Sequence, residues 1–518
     1  MPETRAALSF QRGTEFLVVP GFRQQEALAV ARLIGAPQVL IAGATRCTLS
    51  AAAVWGAIAQ GFTLDDLLRR VAEVAPDGVP ASVQAWLATT VARANAVRLE
   101  QDVHGWRVVA RDPTLLRRLG LHVAPGEYHA AIEDASALTD ARLALARAGY
   151  PLVVPWSAKR RSYSARGVAL ALRDYQAQAV SALQRAGSGV VQLPCGAGKT
   201  RIGVALAQQT DGPVLILTPS RDIGSQWIDA LRAAEESRPI SASSADGEIV
   251  VATYSAAARG RIGEALRLRQ WALVIFDEVH MLPATTFRVA AAIQAERRVG
   301  LTATLVREDG REIDIAALVG PPVYARTWRD LEADGWIAPA TCVEVRLPYA
   351  ADPAQRERFK RAMLARLLQR HEQDTVLVAA SDLAVLHAAA RALDLCIVTG
   401  SSSASERREA FAALASGALR VLGMSRIGSV GIDIPRASVM IQMHGVFGSR
   451  QEEAQRLGRL LRPQDGKHAH FYSLVSEGTR EVTDAQRRQR FLVEQGYTYV
   501  IVPAREIART ALTDGNTT

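Results

Sequence analysis

Cysteine is scarce in this sequence, and what there is stands too far apart to pair locally. The four thiols among 518 residues are Cys47, Cys195, Cys342 and Cys396, with no Cys-x-x-Cys spacing. A thiolate zinc site and a disulfide framework are thereby disfavoured, and a reducing cytoplasm fits. Long apolar runs are lacking too, since none reaches the ~20 residues that a membrane helix requires. The N-terminus, MPETRAALSF, carries no basic stretch followed by an apolar one, so no signal peptide is expected. Low-complexity tracts and short-period repeats are missing as well. Acid is in deficit, with 52 Asp and Glu against 61 Lys and Arg and a formal charge of +9. That balance suits a polyanionic partner such as nucleic acid, although an arginine-rich chain is also basic without touching one. A soluble, cytoplasmic chain with no membrane partner is the expectation.

Apolar residues make up 49% and charged ones 22%, ordinary globular proportions in a chain too long for one core. Three regions separate by pattern. Residues 1–155 are mostly helical in period, and TLSAAAVWGAIAQG (48–61), TLDDLLRRVAEVA (63–75) and PASVQAWLATTVARA (80–94) read as short amphipathic helices. Thr63 followed by Asp66 gives the second one a capping signal. AVRLEQ and GWRVVA then read as a hairpin. That order outlines a winged helix, which often binds DNA; a protein-contact or packing domain fits the same outline. Residues 155–170 hold the basic, serine-rich WSAKRRSYSARG, a linker signal. Beyond it GVVQLP, VLILTP, IVVATY, LVIFDE and RVGLTAT alternate with helical stretches, and VEVRLP, VLVAA, CIVTG, VLGMS, VMIQM and FYSLV form a second series. Buried parallel strands with crossover helices have this pattern. The expected class is therefore α/β, with two tandem domains at 156–330 and 331–518 flanking a cleft, behind an accessory domain at 1–155.

VVQLPCGAGKTRIG (190–203) leads from a strand through Pro194, Cys195, Gly196, Ala197 and Gly198 into a helix opened by Lys199 and Thr200. Small residues let backbone N–H groups wrap a phosphate, and the helix N-terminus adds a favourable dipole. The Lys199 ammonium would reach the β- and γ-phosphates, and the Thr200 hydroxyl would bind Mg2+. The strict pattern G-x-x-x-x-G-K-[ST] asks for glycine where this chain has Leu193, so the loop alone is ambiguous. WALVIFDEVH (271–280) resolves it. A strand ends there in Asp277 and Glu278, and two acids at a strand tip pack poorly without a cation. Asp277 is placed to hold Mg2+, and Glu278 to orient or deprotonate an attacking water. ATP with Mg2+ is the expected cofactor pair. In LRDYQAQAV (172–180), Arg173 and Gln176 lie near the loop, and Gln can pair with adenine, although an ordinary amphipathic helix looks similar. Cys195 stands where a helix N-terminus can lower a thiol pKa, or else is an inert small residue.

GSRQEEAQRLGRLLRP (448–463) sets Gln455, Arg459 and Arg462 on one helix face. Such arginines suit fingers on a γ-phosphate, against the alternative of a solvated basic face. SRIGSVGIDIP (425–435) adds Gly431 and Asp433 as candidates for the same nucleotide. LTATLVREDG (301–310) contains Arg307, Glu308 and Asp309 side by side, which by themselves read as a solvated turn.

In this order, LRDYQ, LPCGAGKT, ILTPSR, VATYS, DEVH, LTAT, SVGIDIP and QRLGRLLR resemble the superfamily-two helicases. LPCGAGKT, DEVHMLPA, GLTATLVREDG, GSRQEEAQRLGRLLR and the closing FYSLVSEGTREVTDAQRRQRFLVEQGY resemble the XPB group within it, over residues 165–502. The resemblance implies a double RecA-like motor that hydrolyses ATP on DNA, moves 3′ to 5′, and opens duplex in repair or transcription-linked work. It makes Lys199, Thr200, Asp277 and Glu278 the ATPase core, with Gln455, Arg459 and Arg462 as sensors. Thr218, Ser220, Thr253, His280, Thr302, Thr304 and Ser425 become DNA-contacting or coupling positions, and Arg307, Glu308 and Asp309 become a loop associated with strand opening. Backbone contacts of this kind are independent of sequence and sensitive to salt. A companion nuclease occurs in parts of the family.

Two departures stand out. The helical thumb of the family has room here only near residues 351–374, and position 426 is Arg where many superfamily-two motors have Asp, although the XPB group itself tends to be basic there. A short thumb implies a weaker DNA grip. Two other functions remain open on the sequence: a duplex translocase without processive unwinding, and a nucleotide-gated DNA-binding scaffold.

Overall fold

The computed structural model describes residues 8–11, 13–20, 23–41, 44–102, 105–152, 170–194, 196–242, 244–283, 288–303, 312–425, 436–444, 457, 460, 467–494 and 499–509. The chain divides into two compact units, residues 1–193 with 198–326, and residues 327–518 with 194–197.

The first unit opens with β1 (Leu8–Phe10), β2 (Glu15–Val18), α1 (Gln24–Ile34), β3 (Gly35–Ile41) and β4 (Ala44–Leu49). These strands pair antiparallel in the order β1-β2-β4-β3, a sheet that helical periodicity gave no reason to expect. Next come α2 (Ala51–Ala59), α3 (Leu64–Val74), α4 (Ala81–Ala94), β5 (Val97–Asp102) and β6 (Gly105–Ala110). Thr63 and Asp66 cap α3 reciprocally, each side chain accepting from the other's N–H at 3.1 Å. After α5 (Pro113–Arg118), β7 (His129–Ile132) widens the hairpin to a three-stranded antiparallel sheet, and α6 (Ala135–Arg147) follows.

The α/β part of this unit runs α7 (Asp174–Ala186), β8 (Gly189–Gln192), α8 (Lys199–Gln208), β9 (Val214–Thr218), α9 (Arg221–Ala233), β10 (Ile240–Ser241), β11 (Ile249–Thr253), α10 (Tyr254–Ala258), α11 (Gly260–Leu268), β12 (Trp271–Asp277), β13 (Ala295–Thr302), α12 (Glu312–Leu318) and β14 (Pro322–Ala325). Its strands lie parallel in the order β10-β11-β9-β12-β13-β8-β14. Every residue of β9 and β12 is buried, which is why those segments read as continuous apolar runs rather than alternating ones.

The N-terminal elements close onto this sheet. Helix α2 lies so near the edge strand β14 that a Cβ on Gly56 would stand 1.9 Å from the Pro322 carbonyl oxygen. Gln60 Nε2 donates to the Val323 carbonyl at 3.0 Å, satisfying an acceptor that an edge strand would otherwise leave to water. Trp55 of α2 and Ala146 of α6 share an apolar cluster with Ile313, Ala316 and Ala317 of α12.

The second unit runs α13 (Trp328–Ala333), β15 (Ala340–Leu347), α14 (Pro353–Arg370), β16 (Thr375–Ala380), α15 (Leu383–Leu393), β17 (Cys396–Val398), α16 (Ala404–Ser416), β18 (Val421–Met424), β19 (Ala437–His444), β20 (Ala469–Ser476), α17 (Arg480–Glu494), β21 (Tyr499–Pro503) and α18 (Ala504–Arg509). Its parallel order is β17-β18-β16-β19-β20-β15-β21. Two successive parallel sheets of this kind are tandem RecA-like domains, and each apolar run picked out from the sequence is one of their strands. The interval 351–374 holds α14, whose Met363, Leu364 and Leu367 sit in the core of this unit. No helix among the described residues is long and apolar enough to cross a membrane.

Candidate active site

Strand β8 carries the chain into the candidate phosphate loop. Leu193 prolongs it, with its N–H donating to the Thr302 carbonyl at 2.9 Å and its side chain fully buried. A side chain is tolerated where the strict pattern has glycine because the position belongs to the sheet. Lys199 Nζ donates to the Leu193 carbonyl at 3.2 Å. The Ala197 N–H closes a turn on the Pro194 carbonyl at 3.2 Å. Gly196 (φ +83°) and Gly198 (φ +73°) take the left-handed backbone that glycine adopts without strain, and Gly198 starts α8, followed by Lys199 and Thr200. A Cβ on Gly198 would meet Gln176 Nε2 at 2.5 Å, so the buried Gln176 lies directly against the loop. Its Oε1 accepts from the Arg173 N–H at 3.0 Å and closes the first turn of α7. The structure thus brings Arg173, Gln176 and Gly198 together.

Asp277 ends the buried strand β12. Its Oδ2 accepts from Trp227 Nε1 at 2.8 Å and its Oδ1 from the Glu278 N–H at 3.0 Å. Glu278 itself adopts φ +48°, a left-handed conformation that costs a non-glycine residue about 1 kcal/mol or more and turns the chain sharply off the strand. Burial and the adjoining Glu278 charge push the Asp277 carboxyl up to about 6, while the Trp227 hydrogen bond and the Lys199 ammonium oppose the rise. Among the described residues two acids stand beside one lysine, a balance that suits a divalent cation. The Tyr254 hydroxyl donates to the Asp277 main-chain carbonyl at 2.8 Å, and burial holds that phenol well above its ordinary pKa, so it stays a donor. Glu278 Oε2 is buried with no hydrogen bond among the described residues, 3.4 Å from His280 Nδ1. The same Nδ1 meets Thr302 Oγ1 at 3.0 Å, joining the tip of β12 to the end of β13.

Thr218 and Thr302 are fully buried. Thr218 Oγ1 donates to the Ser220 carbonyl at 3.0 Å, holding the turn after β9. Ser220 and Thr253 are helix N-caps, accepting from the Ile223 N–H at 3.3 Å and the Ala256 N–H at 3.1 Å. These residues therefore sit at the C-terminal ends of β9, β11 and β13, the same sheet edge as Asp277 and the phosphate loop. In open parallel sheets that edge is where ligands bind. Ser425 follows β18 in the second unit, its N–H donating to the Val398 carbonyl at 3.3 Å. Cys195, Thr304, Arg307, Glu308, Asp309, Arg426, Gly431, Asp433, Gln455, Arg459 and Arg462 lie outside the described residues. No sequence motif marks Trp227 or Tyr254 as a partner of Asp277. Gly203, a glycine inside α8, was the one signal available, because it marks a close approach.

A family model described as the ERCC3/RAD25/XPB C-terminal helicase matches residues 357–514, and one described as the res subunit of type III restriction enzymes matches 169–307. A Kineococcus radiotolerans protein named DNA 3′-5′ helicase XPB is 37% identical over 504 residues, spanning 88% of this chain and 88% of that protein. The chain belongs to the XPB family. The Mycobacterium tuberculosis protein of the same name is 36% identical over 499 residues, 89% of this chain and 91% of its own length. In this XPB-family chain the Lys199 and Asp277 loops fall within one matched span and the Gln455–Arg462 segment within the other. Among solved structures, the DNA-bound ATP-dependent Type ISP restriction-modification enzyme LlaBIII aligns with a TM-score of 0.53 at 14% identity, over 65% of this chain and 31% of that one, a likeness of fold.

Proposed function

We propose that this chain is an ATP-dependent DNA helicase that tracks 3′ to 5′ and opens duplex in DNA repair or a transcription-linked process. The buried Asp277 and the half-buried Glu278 beside Lys199, in a chain of the XPB family, carry the reading. Lys199 and the N–H groups of residues 196–198 bind the phosphates. Asp277 and Thr200 would hold Mg2+, which when bound supplies positive charge to the phosphate oxygens. Glu278 orients or deprotonates the attacking water with the carboxylate oxygen that accepts no hydrogen bond among the described residues. Arg173 and Gln176 meet the base, Gly431 and Asp433 the nucleotide, and Gln455, Arg459 and Arg462 answer the charge on the γ-phosphate.

Toward DNA, Ser220, Thr253, Thr304, Arg307 and Ser425 meet backbone phosphates, while the buried Thr218 and Thr302 hold the turns that present them and His280 links those turns to Glu278. Contacts of this sort are sequence-independent and weaken steeply with salt. Helices α2–α4 with the β5–β6 hairpin have the element order of a winged helix, and we assign them to DNA or to a companion nuclease or repair protein. A cytoplasmic location completes the proposal.

DNA-stimulated ATP hydrolysis tests it, together with strand displacement on 3′- and 5′-tailed duplexes. Lys199→Ala should lower stimulated hydrolysis by about 100-fold or more. Wild-type protein without DNA stimulation, or an unchanged Lys199→Ala, would overturn the catalytic reading. Hydrolysis without displacement on either duplex would restrict the motor to translocation.

A further inference from the structure

Trp227 belongs to none of the expected motifs, yet it touches the centre of the site. It lies on α9, the helix capped by Ser220, and is 1% exposed. Its indole N–H donates to Asp277 Oδ2 at 2.8 Å. Its ring fills the notch that α8 leaves at Gly203, where a Cβ would stand 2.2 Å from Cη2. Alanine would favour the helix by about 1 kcal/mol over glycine at such a position, so the glycine marks a contact that outweighs helix propensity. The indole thus joins three elements: the helix opened by Lys199, the helix capped by Ser220, and the strand ending in Asp277.

The carboxylate torsion of aspartate is soft and broad. One hydrogen bond, from the adjoining Glu278 N–H to Oδ1, leaves the carboxylate plane free to swing. A second donor on Oδ2 fixes that plane, and each oxygen keeps a lone pair for another partner. We propose that Trp227 is a positioning residue for ATP hydrolysis, its indole N–H holding the Asp277 carboxylate in the orientation that receives the nucleotide-bound cation. The inference rests on the reading of Asp277 as the cation-holding carboxylate.

The test is equilibrium binding of a fluorescent, non-hydrolysable ATP analogue to the full chain, in EDTA and in saturating Mg2+. Wild type should bind more tightly with Mg2+. Trp227→Phe keeps a ring against Gly203 and removes the N–H. It should cut the Mg2+-dependent gain about tenfold, the worth of one hydrogen bond to a charged group, while leaving affinity in EDTA within about twofold. An unchanged gain, or equal losses with and without Mg2+, overturns the proposal. Should the Phe variant fail to fold, benzothienylalanine at position 227 has the indole shape without the N–H, and the same two outcomes decide. Asp277→Asn separates the two readings. If it keeps the Mg2+ gain, the assignment of Asp277 fails and this inference with it. If it loses the gain while Trp227→Phe does not, only the positioning role fails.

Discussion

Arg147, the last residue of α6, grips the Asp314 carboxylate of α12 with two hydrogen bonds, from Nε at 2.8 Å and from a terminal nitrogen at 2.6 Å. The Asp314 side chain is 3% exposed and that of Arg147 50%, so the acid carries the desolvation and the arginine shields it. Arg147→Ala should therefore destabilise the first unit by about 2 kcal/mol, less than a wholly buried pair would lose. Urea melts of Arg147→Ala and of Arg147→Ala/Asp314→Leu check this. The double variant should recover most of the loss, because no buried charge remains.

Gly56→Ala should destabilise the chain although alanine is the better helix former by about 1 kcal/mol. The added Cβ would meet the Pro322 carbonyl oxygen, a backbone atom of β14 that cannot step aside. The expected net loss is about 1–3 kcal/mol, as for overpacking elsewhere, and a thermal melt reads it. A variant more stable than wild type would show that α2 does not seat on β14.

The second unit should weaken in mild acid. His371 Nδ1 meets Asp374 Oδ2 at 2.8 Å and its Nε2 the Tyr472 hydroxyl at 3.0 Å, with the His470 ring centred 5.1 Å away. Burial, followed by the charges of His371 and His468, holds His470 down at about 4 against an ordinary 6.5. Between those values the unfolded chain binds the proton and the folded chain does not. The stability tied to His470 is therefore complete above 6.5 and is lost as pH falls toward 4. Urea midpoints measured from pH 7 down to 4.5 should fall, and His470→Gln should flatten the slope.

The resemblance to the XPB group implies that Arg307, Glu308 and Asp309 serve strand opening, and we propose that role for them. Replacing all three with alanine should lower strand displacement several-fold more than DNA-stimulated ATPase. Equal losses in both assays would return the loop to a structural role.

What could be read directly from the chain were the features built from neighbouring residues. A parallel strand buried on both faces must be apolar throughout, so VLILT and WALVIFD announced themselves. A turn into a helix is built from neighbouring residues, so Gly196 to Thr200 stood out as a candidate phosphate loop without knowing what lay around them. The same holds for the acids that end β12. The short edge strands β10, β14 and β21 and the N-terminal sheet had no comparable signal, because two to seven residues show little periodicity and their partners are supplied by strand order.

Only the tertiary structure decided which groups hold the site in place. Trp227 is 50 positions from Asp277, and Arg147 is 167 from Asp314. Hydrophobic period tells which side of an element is buried, never against what it is buried. Trp227 reaches Asp277 because β9 and β12 are sheet neighbours, and Arg147 reaches Asp314 because α6 folds back over α12. The sequence by itself therefore determined the fold class and the acid pair that ends β12. The order of the strands decided how that acid is oriented and what braces the motor.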